Sequence, residues 1–224
     1  MTRVRCLAAS VGRRAIALVL LMTPNVASAQ PHRGSIELGG AFAFTGGYDA
    51  GSAAASETPN PSLGSAPFSL FETDSRVLSA PGVDVHAGVY VSSRMLVTAT
   101  FQYSRLTLRT RVSADFEGAA DVRADTTVSS YQIGGGIEYL LAARGWIPFL
   151  AGGAGQMRVV PDGGDVETSG ELHAGGGVRH ALTRGRHPFD VRAEAAASYR
   201  TGGPGFDARH HVLPSASAGV TWRF

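Results

Sequence analysis

Runs of about ten residues in which apolar and polar side chains alternate strictly recur from residue 35 to the end of the chain. This period-two pattern constrains the fold more tightly than anything else in the sequence. The final run shows it plainly. Ala218, Val220, Trp222 and Phe224 share one face, and Ser217, Gly219, Thr221 and Arg223 share the other. The sequence stops on the aromatic, with no polar residue after it. A free carboxylate beside an outward Phe suits a membrane–water interface, where aromatic rings sit at headgroup level. Helical periodicity is scarce, so the expectation is an all-β chain.

Eight such strands are expected, over 35–45, 83–91, 95–108, 127–140, 146–157, 169–182, 188–200 and 211–224. In the first, Ile36, Leu38, Phe42 and Phe44 oppose Glu37, Gly39, Ala41 and Ala43. In the second, Val83, Val85, Ala87, Val89 and Val91 oppose Asp84, His86, Gly88 and Tyr90. The third changes parity at Arg105, where Leu106 and Leu108 become the apolar pair, and a bulge is expected there. The fifth is Gly-rich, and Ile147, Phe149 and Ala151 are taken as its outward set. The seventh sets Phe189, Val191, Ala193, Ala195, Ala197 and Tyr199 against Asp190, Arg192, Glu194, Ser198 and Arg200. The runs Gly134–Gly136, Gly152–Gly153 and Gly175–Gly177 have no Lys or basic helix after them, which argues against phosphate loops. In strands they allow tight curvature and leave room for long inward side chains.

The connections alternate in length. Segments 46–76, 109–125, 158–168 and 201–210 are long, whereas 92–94, 141–145 and 183–187 are short turns. Long external loops and short internal turns are the habit of an up-and-down barrel crossing an outer membrane. A closed sheet also pairs every backbone group in lipid, which an open sheet cannot do. The expected fold is therefore an eight-stranded antiparallel up-and-down transmembrane β-barrel. Residues 69–72 of the first long segment are a candidate strand extension.

Residues 1–29 read as a secretory signal peptide. Arg3, Arg5, Arg13 and Arg14 precede the apolar run 15–22, and small residues follow at 26–29. The run is shorter than the ~20 residues that span a bilayer. Residues 30–224 are then the barrel domain. Removing 1–29 takes away four arginines and no acids, so the formal charge turns from +2 to −2. The pI of about 9.0 belongs to the whole chain and gives no basis for nucleic-acid binding. Cys6 is the only cysteine, so the remainder has neither a disulfide nor a thiolate site.

The pattern Ser217-x-Gly219-Val220-x-Trp222-x-Phe224 resembles the C-terminal signal read by the barrel-assembly machinery of Gram-negative-type bacteria. With the leader and the eight strands, residues 30–224 resemble the small outer-membrane barrels of the OmpA, OmpX and OmpW kind. The resemblance implies a cell outer-membrane location, outer-membrane lipid around the barrel, and contact with the assembly machinery during biogenesis. It says little about activity, because such families include anchors, adhesins, small pores and a few lipid-modifying enzymes.

The inward face is the candidate site. It gathers Glu37, Asp84, Glu138, Asp190 and Glu194 with Arg179, Arg192, Arg200, Arg223, His86 and His173. In a narrow lumen these charges must pair, because an unpaired buried charge is costly. An ionic plug centred on Arg192 and Glu194 is expected, in a monomer with a structural or surface-interaction role and external loops that could meet a surface ligand. A narrow channel for ions or small solutes is the first alternative. An outer-membrane lipid-modifying enzyme would draw on Ser215, His210, His211 and Asp207, but no spacing sets a base beside a nucleophile. His180, His187 and His210–His211 lack ligand spacing for a metal, and no cofactor is expected. A soluble periplasmic lipocalin-like barrel would reverse the polarity, apolar inside and polar outside.

Overall fold

The computed structural model describes residues 31–57, 68–161, 166–183, 188–201 and 210–224. The leader expected over 1–29, Asp207 and His187 lie outside these residues. Ten strands are present among them: β1 (Ile36–Thr45), β2 (Tyr48–Glu57), β3 (Phe68–Val77), β4 (Ala80–Tyr90), β5 (Met95–Ser113), β6 (Val122–Leu140), β7 (Trp146–Pro161), β8 (Glu167–Ala181), β9 (Phe189–Thr201) and β10 (His210–Arg223).

Eight of them close on themselves in the order β1-β4-β5-β6-β7-β8-β9-β10 and back to β1, every pair antiparallel. The first strand meets the last from Glu37 opposite Arg223 to Thr45 opposite Ser215. One hydrogen-bonded circuit runs Pro148, Val178, Ala193, Ala218, Phe42, Val83, Tyr103, Tyr131 and returns to β7 at Arg158. The stagger of the closed sheet is thus ten residues, which tilts the strands by roughly 40° and leaves a lumen that side chains can fill.

The two extra strands continue the first two staves beyond the barrel. β2 pairs with β3, and β3 pairs with Leu108–Ser113 of β5. The chain steps from β1 into β2 at Gly46–Gly47, where crowding explains the residue type. A Cβ on Gly47 would stand 2.4 Å from the Val77 carbonyl oxygen. The loop expected over 46–76 is thus strand on both sides of the segment 58–67, and 109–125 is strand except for 114–121. Their Ala, Ser and Thr residues carry no strong apolar alternation because burial is confined to the residues next to the barrel, such as Tyr48, Ala50 and Val77, and most residues farther out are exposed or half-buried. The proposed extension at 69–72 does pair, opposite β2.

Alternation is kept around the barrel. Phe42 is 80% exposed, Ile133 63% and Leu172 59%, whereas Glu37 and Arg179 are fully buried. The outside is apolar and the inside charged, opposite to a soluble ligand-binding barrel. Aromatic pairs sit towards both ends of the outer face. Trp222–Phe224 and Trp146–His180 lie at the end with the short turns, and Tyr103–Tyr131 and Tyr199–His210 lie towards the end with the long loops. Tyr139 and Tyr131, eight residues apart on β6, are separated by roughly 20 Å along the barrel axis.

Two expectations about facing are corrected. No bulge interrupts β5, whose register with β6 is continuous from Met95 opposite Tyr139 to Val112 opposite Val122. Leu106 keeps its inward parity and is buried opposite buried Val128. The apparent slip marks the height at which the lumen itself turns apolar. In β7, Ile147 and Phe149 point inward, at 4% and 1% exposure, with Ala151 packed against them, while Trp146 and Leu150 face outward. Glycines on both faces of that strand remove the contrast from which its facing could be read.

Candidate functional site

The lumen is built in layers. At the turn end, Tyr90, Leu96, Leu140, Ile147 and Phe149 form a buried apolar cluster. Above it lies an ionic layer centred on Arg179 of β8. Its Nη1 donates to Glu37 Oε2 at 2.9 Å and to the Tyr90 hydroxyl at 2.8 Å. Its Nη2 donates to Glu37 Oε1 at 3.2 Å and also bonds Glu138. Tyr90 in turn donates to Glu37 Oε2 at 2.8 Å. Arg192 Nη1 lies 2.6 Å from Glu138 Oε2, and its Nη2 binds Glu194. Arg223 Nη2 donates to Asp190 at 2.7 Å. His86 stands between Asp84, with Nδ1 at 3.3 Å, and Glu37, with Nε2 at 3.9 Å.

The local sequence makes room for this layer. Phe149 lies under both guanidiniums, with Arg192 Cζ 4.5 Å and Arg179 Cζ 5.4 Å from the ring centroid. A cation over an aromatic face is favourable, more so when desolvated. Gly177, two residues before Arg179, gives the ring its space. A Cβ there would be 2.7 Å from Phe149 Cζ and 2.1 Å from the Ala193 carbonyl oxygen.

A cavity of about 110 Å³ with a mixed lining follows, in which Asp84, His86, His173, Thr98, Thr100 and Ser217 supply polar groups. Nearer the loop end, Glu171 accepts from Gln132 Nε2 and Arg200 Nε, each at 2.7 Å. A second buried apolar cluster follows towards the loop end, made by Tyr48, Ala50, Val77, Ala80, Leu106, Val128, Met157, Val159 and Leu213.

The residues expected inside thus fall into two groups. Glu37, Asp84, His86, Glu138, Arg179, Asp190, Arg192, Glu194 and Arg223 meet in the lower layer. Arg200 joins the upper pair, and His173 lines the cavity between them. The centre is Arg179, not the Arg192–Glu194 pair, because among the described residues Arg179 alone bridges carboxylates from β1 and β6. Sequence reasoning passed over Glu171, although it shares the parity of His173, because it lies close to the end of a strand expected to emerge into a loop. It also left out Tyr90, whose hydroxyl makes an apolar-looking position part of the network.

The alternative sites are not assembled among the described residues. The Ser215 hydroxyl faces the Ala196 carbonyl oxygen at 3.5 Å. His211 packs on Tyr48 and His210 stacks on Tyr199, on opposite faces of β10. His180 stacks on Trp146 at the other end of the barrel. No group of three or more His, Cys, Asp or Glu residues converges on a metal-sized site among the described residues. Of the expected assembly positions, Ser217 and Gly219 fall on the inner face of β10, and Val220, Trp222 and Phe224 on the outer face.

No protein-family model matches the chain, and no curated protein does. Solved structures do. The outer membrane protein OprG from Pseudomonas aeruginosa superposes with a TM-score of 0.57 at 10% identity, over 88% of this chain and 99% of that one. Neisserial surface protein A (NspA) gives a TM-score of 0.51 at 17% identity, over 85% of this chain and 98% of that one. The closed circuit, the inverted polarity and these superpositions agree: the chain has the fold of the small eight-stranded outer-membrane β-barrels.

Proposed function

We propose that the protein is an integral outer-membrane barrel whose lumen is a structural plug, and whose role is structural or surface-interactive. One observation carries this reading. The network around the fully buried Arg179 lies between two buried apolar clusters, one towards each end of the lumen. An ion following the axis would have to displace Leu213, Met157 and Leu106, break a multiply bonded guanidinium, and then pass Phe149. Each step removes burial or a charge pair that nothing replaces.

The outward apolar face meets outer-membrane lipid, and the loop end faces outside. The projecting β2–β3 hairpin and the ends of β5 and β6 are the surface offered to a ligand there. The last strand carries the signal for the assembly machinery, and the barrel works as a monomer without cofactor or catalysis. The test is electrical. Barrel inserted in planar bilayers should show no stable unitary conductance, while its mobility on unheated gels shows it folded. A steady conductance from folded, purified protein would replace the plug with the narrow channel.

A further inference from the structure

The geometry points to a binding site for a phosphorylated lipid headgroup on the outer wall of the barrel, formed by Arg105 of β5 and Arg158 of β7. Both side chains are exposed and both face outward. They sit where the apolar wall gives way to the projecting strands. Tyr131 lies directly opposite Tyr103 on one side and Arg158 on the other, and Arg105 follows two residues beyond Tyr103. The Tyr103 and Tyr131 rings are 5.2 Å apart. Tyrosines at this height mark the boundary of the hydrocarbon, so the two arginines stand at headgroup level.

Register gives their spacing. Arg105 lies opposite Ser129, and Ser129 opposite Val160, two residues past Arg158. The two arginines are therefore separated by two strand spacings and one two-residue step, about 12 Å between Cα atoms. Two long side chains can converge across that distance on one phosphate group. Ser129 and Thr168, the residue opposite Arg158, place hydroxyls beside them.

These arginines have no carboxylate partner among the described residues, and unlike the equally unpaired Arg94 and Arg144 of the short turns they lie beside outward tyrosines at the loop end of the wall. Farther from the barrel, Arg109 is held by Asp125 and Arg111 by Asp121. Inside, Arg179, Arg192, Arg200 and Arg223 each meet a carboxylate. Among the described residues Arg105 and Arg158 face none. Guanidinium binds phosphate in a planar, bidentate way, and an anionic headgroup lying against the Tyr103–Tyr131 platform would supply the missing charge. A lipid fits better than a free anion because the site opens sideways, with its aromatic floor continuing into the lipid-facing wall through Phe101 and Ile133. The inference rests on the membrane placement proposed above.

The experiment refolds the full barrel in phosphatidylcholine micelles or vesicles doped with phosphatidic acid, and reads bound lipid by native mass spectrometry. Unheated gel mobility reports folding separately in every sample. Wild-type protein should retain phosphatidic acid in preference to phosphatidylcholine. Arg105→Gln/Arg158→Gln should bind it about thirty-fold more weakly while still folding. Arg94→Gln/Arg144→Gln, on the short turns, should keep the wild-type preference. Equal retention by the Arg105→Gln/Arg158→Gln variant would overturn the site, and so would equal loss in the turn variant. Displacement of the lipid by an equimolar amount of inorganic phosphate would show that the arginines read a free anion instead. A failure to fold in every lipid would count against the membrane reading itself, not against this site alone.

Discussion

Replacing Arg179 with Met tests the central claim about the lumen. The side chain is fully buried and binds Glu37 through two nitrogens, Glu138 through one and the Tyr90 hydroxyl through another contact. Removing one partner of a buried ion pair costs about 3–5 kcal/mol, because the remaining charge stays buried without compensation. Two carboxylates are stranded here, but neither completely. Glu138 keeps Arg192 at 2.6 Å, and Glu37 keeps the Tyr90 hydroxyl and the more distant Arg223 at 3.9 Å. The loss should therefore fall within that range and not double it. In reversible urea unfolding from vesicles, followed by gel mobility, Arg179→Met should lower stability by about 3–5 kcal/mol. The double variant Arg179→Met/Glu37→Gln should recover at least 1 kcal/mol of this, roughly the net worth of no longer burying an unpaired charge. A loss below about 1 kcal/mol, the range of exposed pairs, would refute the burial argument. So would a double variant no more stable than Arg179→Met, since the penalty would then come from packing and not from stranded charge.

Three further outcomes follow from particular contacts. Gly177→Ala should prevent or strongly impair refolding, whereas Gly152→Ala should be tolerated, because its added Cβ would meet only the His173 carbonyl oxygen at 3.6 Å; refolding yields in vesicles compare the two. Phe224→Asp, which removes a ring lying 4.6 Å from that of Trp222, should reduce delivery to the outer membrane in cells far more than it reduces spontaneous refolding in vesicles, where no assembly machinery reads the residue; equal effects in both assays would leave Phe224 as one more strand residue. At the loop end, the hydrogen bond from Arg109 holds the Asp125 carboxyl below the usual carboxylate range. A lowered folded-state value means that this pair supports the β5–β6 extension above the ordinary carboxylate pKa and loses that support as pH falls through the lowered one; carbon-detected titration should show Asp125 moving back up in Arg109→Gln.

The fold was legible in the sequence because lipid and lumen make opposite demands on neighbouring residues. Where a strand crossing the wall carries both demands at period two, as from Val83 to Tyr90 and from Phe189 to Arg200, the sequence separates two faces, and a lipid surround decides which of them is outward. Legibility failed where one demand lapsed. In β7, glycine and alanine occupy both faces, so Ile147 and Phe149 could be assigned to either side. Beyond the wall, the outward face meets water and the inward face turns apolar, so Leu106 inverted the expected pattern while keeping its parity. Beyond Tyr48, Ala50 and Val77, which reach the upper apolar cluster, the β2–β3 hairpin has neither demand to satisfy, and its Ala and Ser residues read as loop although they pair as strand.

The centre of the network was not legible for a related reason. Facing follows from local sequence, but height within the barrel follows from the ten-residue stagger, which is a property of the closed sheet. Arg192 and Glu194 look like a natural pair because they are two residues apart on one strand, and they do bind each other. Arg179 reaches Glu37 and Glu138 across 142 and 41 residues of chain, at a height that only the closed register defines. A lumen of roughly 8 Å radius to the backbone admits few large inward side chains at any one height. The sequence meets that limit by placing Gly175 and Gly177 on the inner face of β8 before Arg179. The large residues that fill each height are then set by which neighbours are glycine. In this chain the space at Gly177 is taken by Phe149 and its two arginines, so the residue that leaves room at the backbone wall also seats the ring on which both guanidiniums lie.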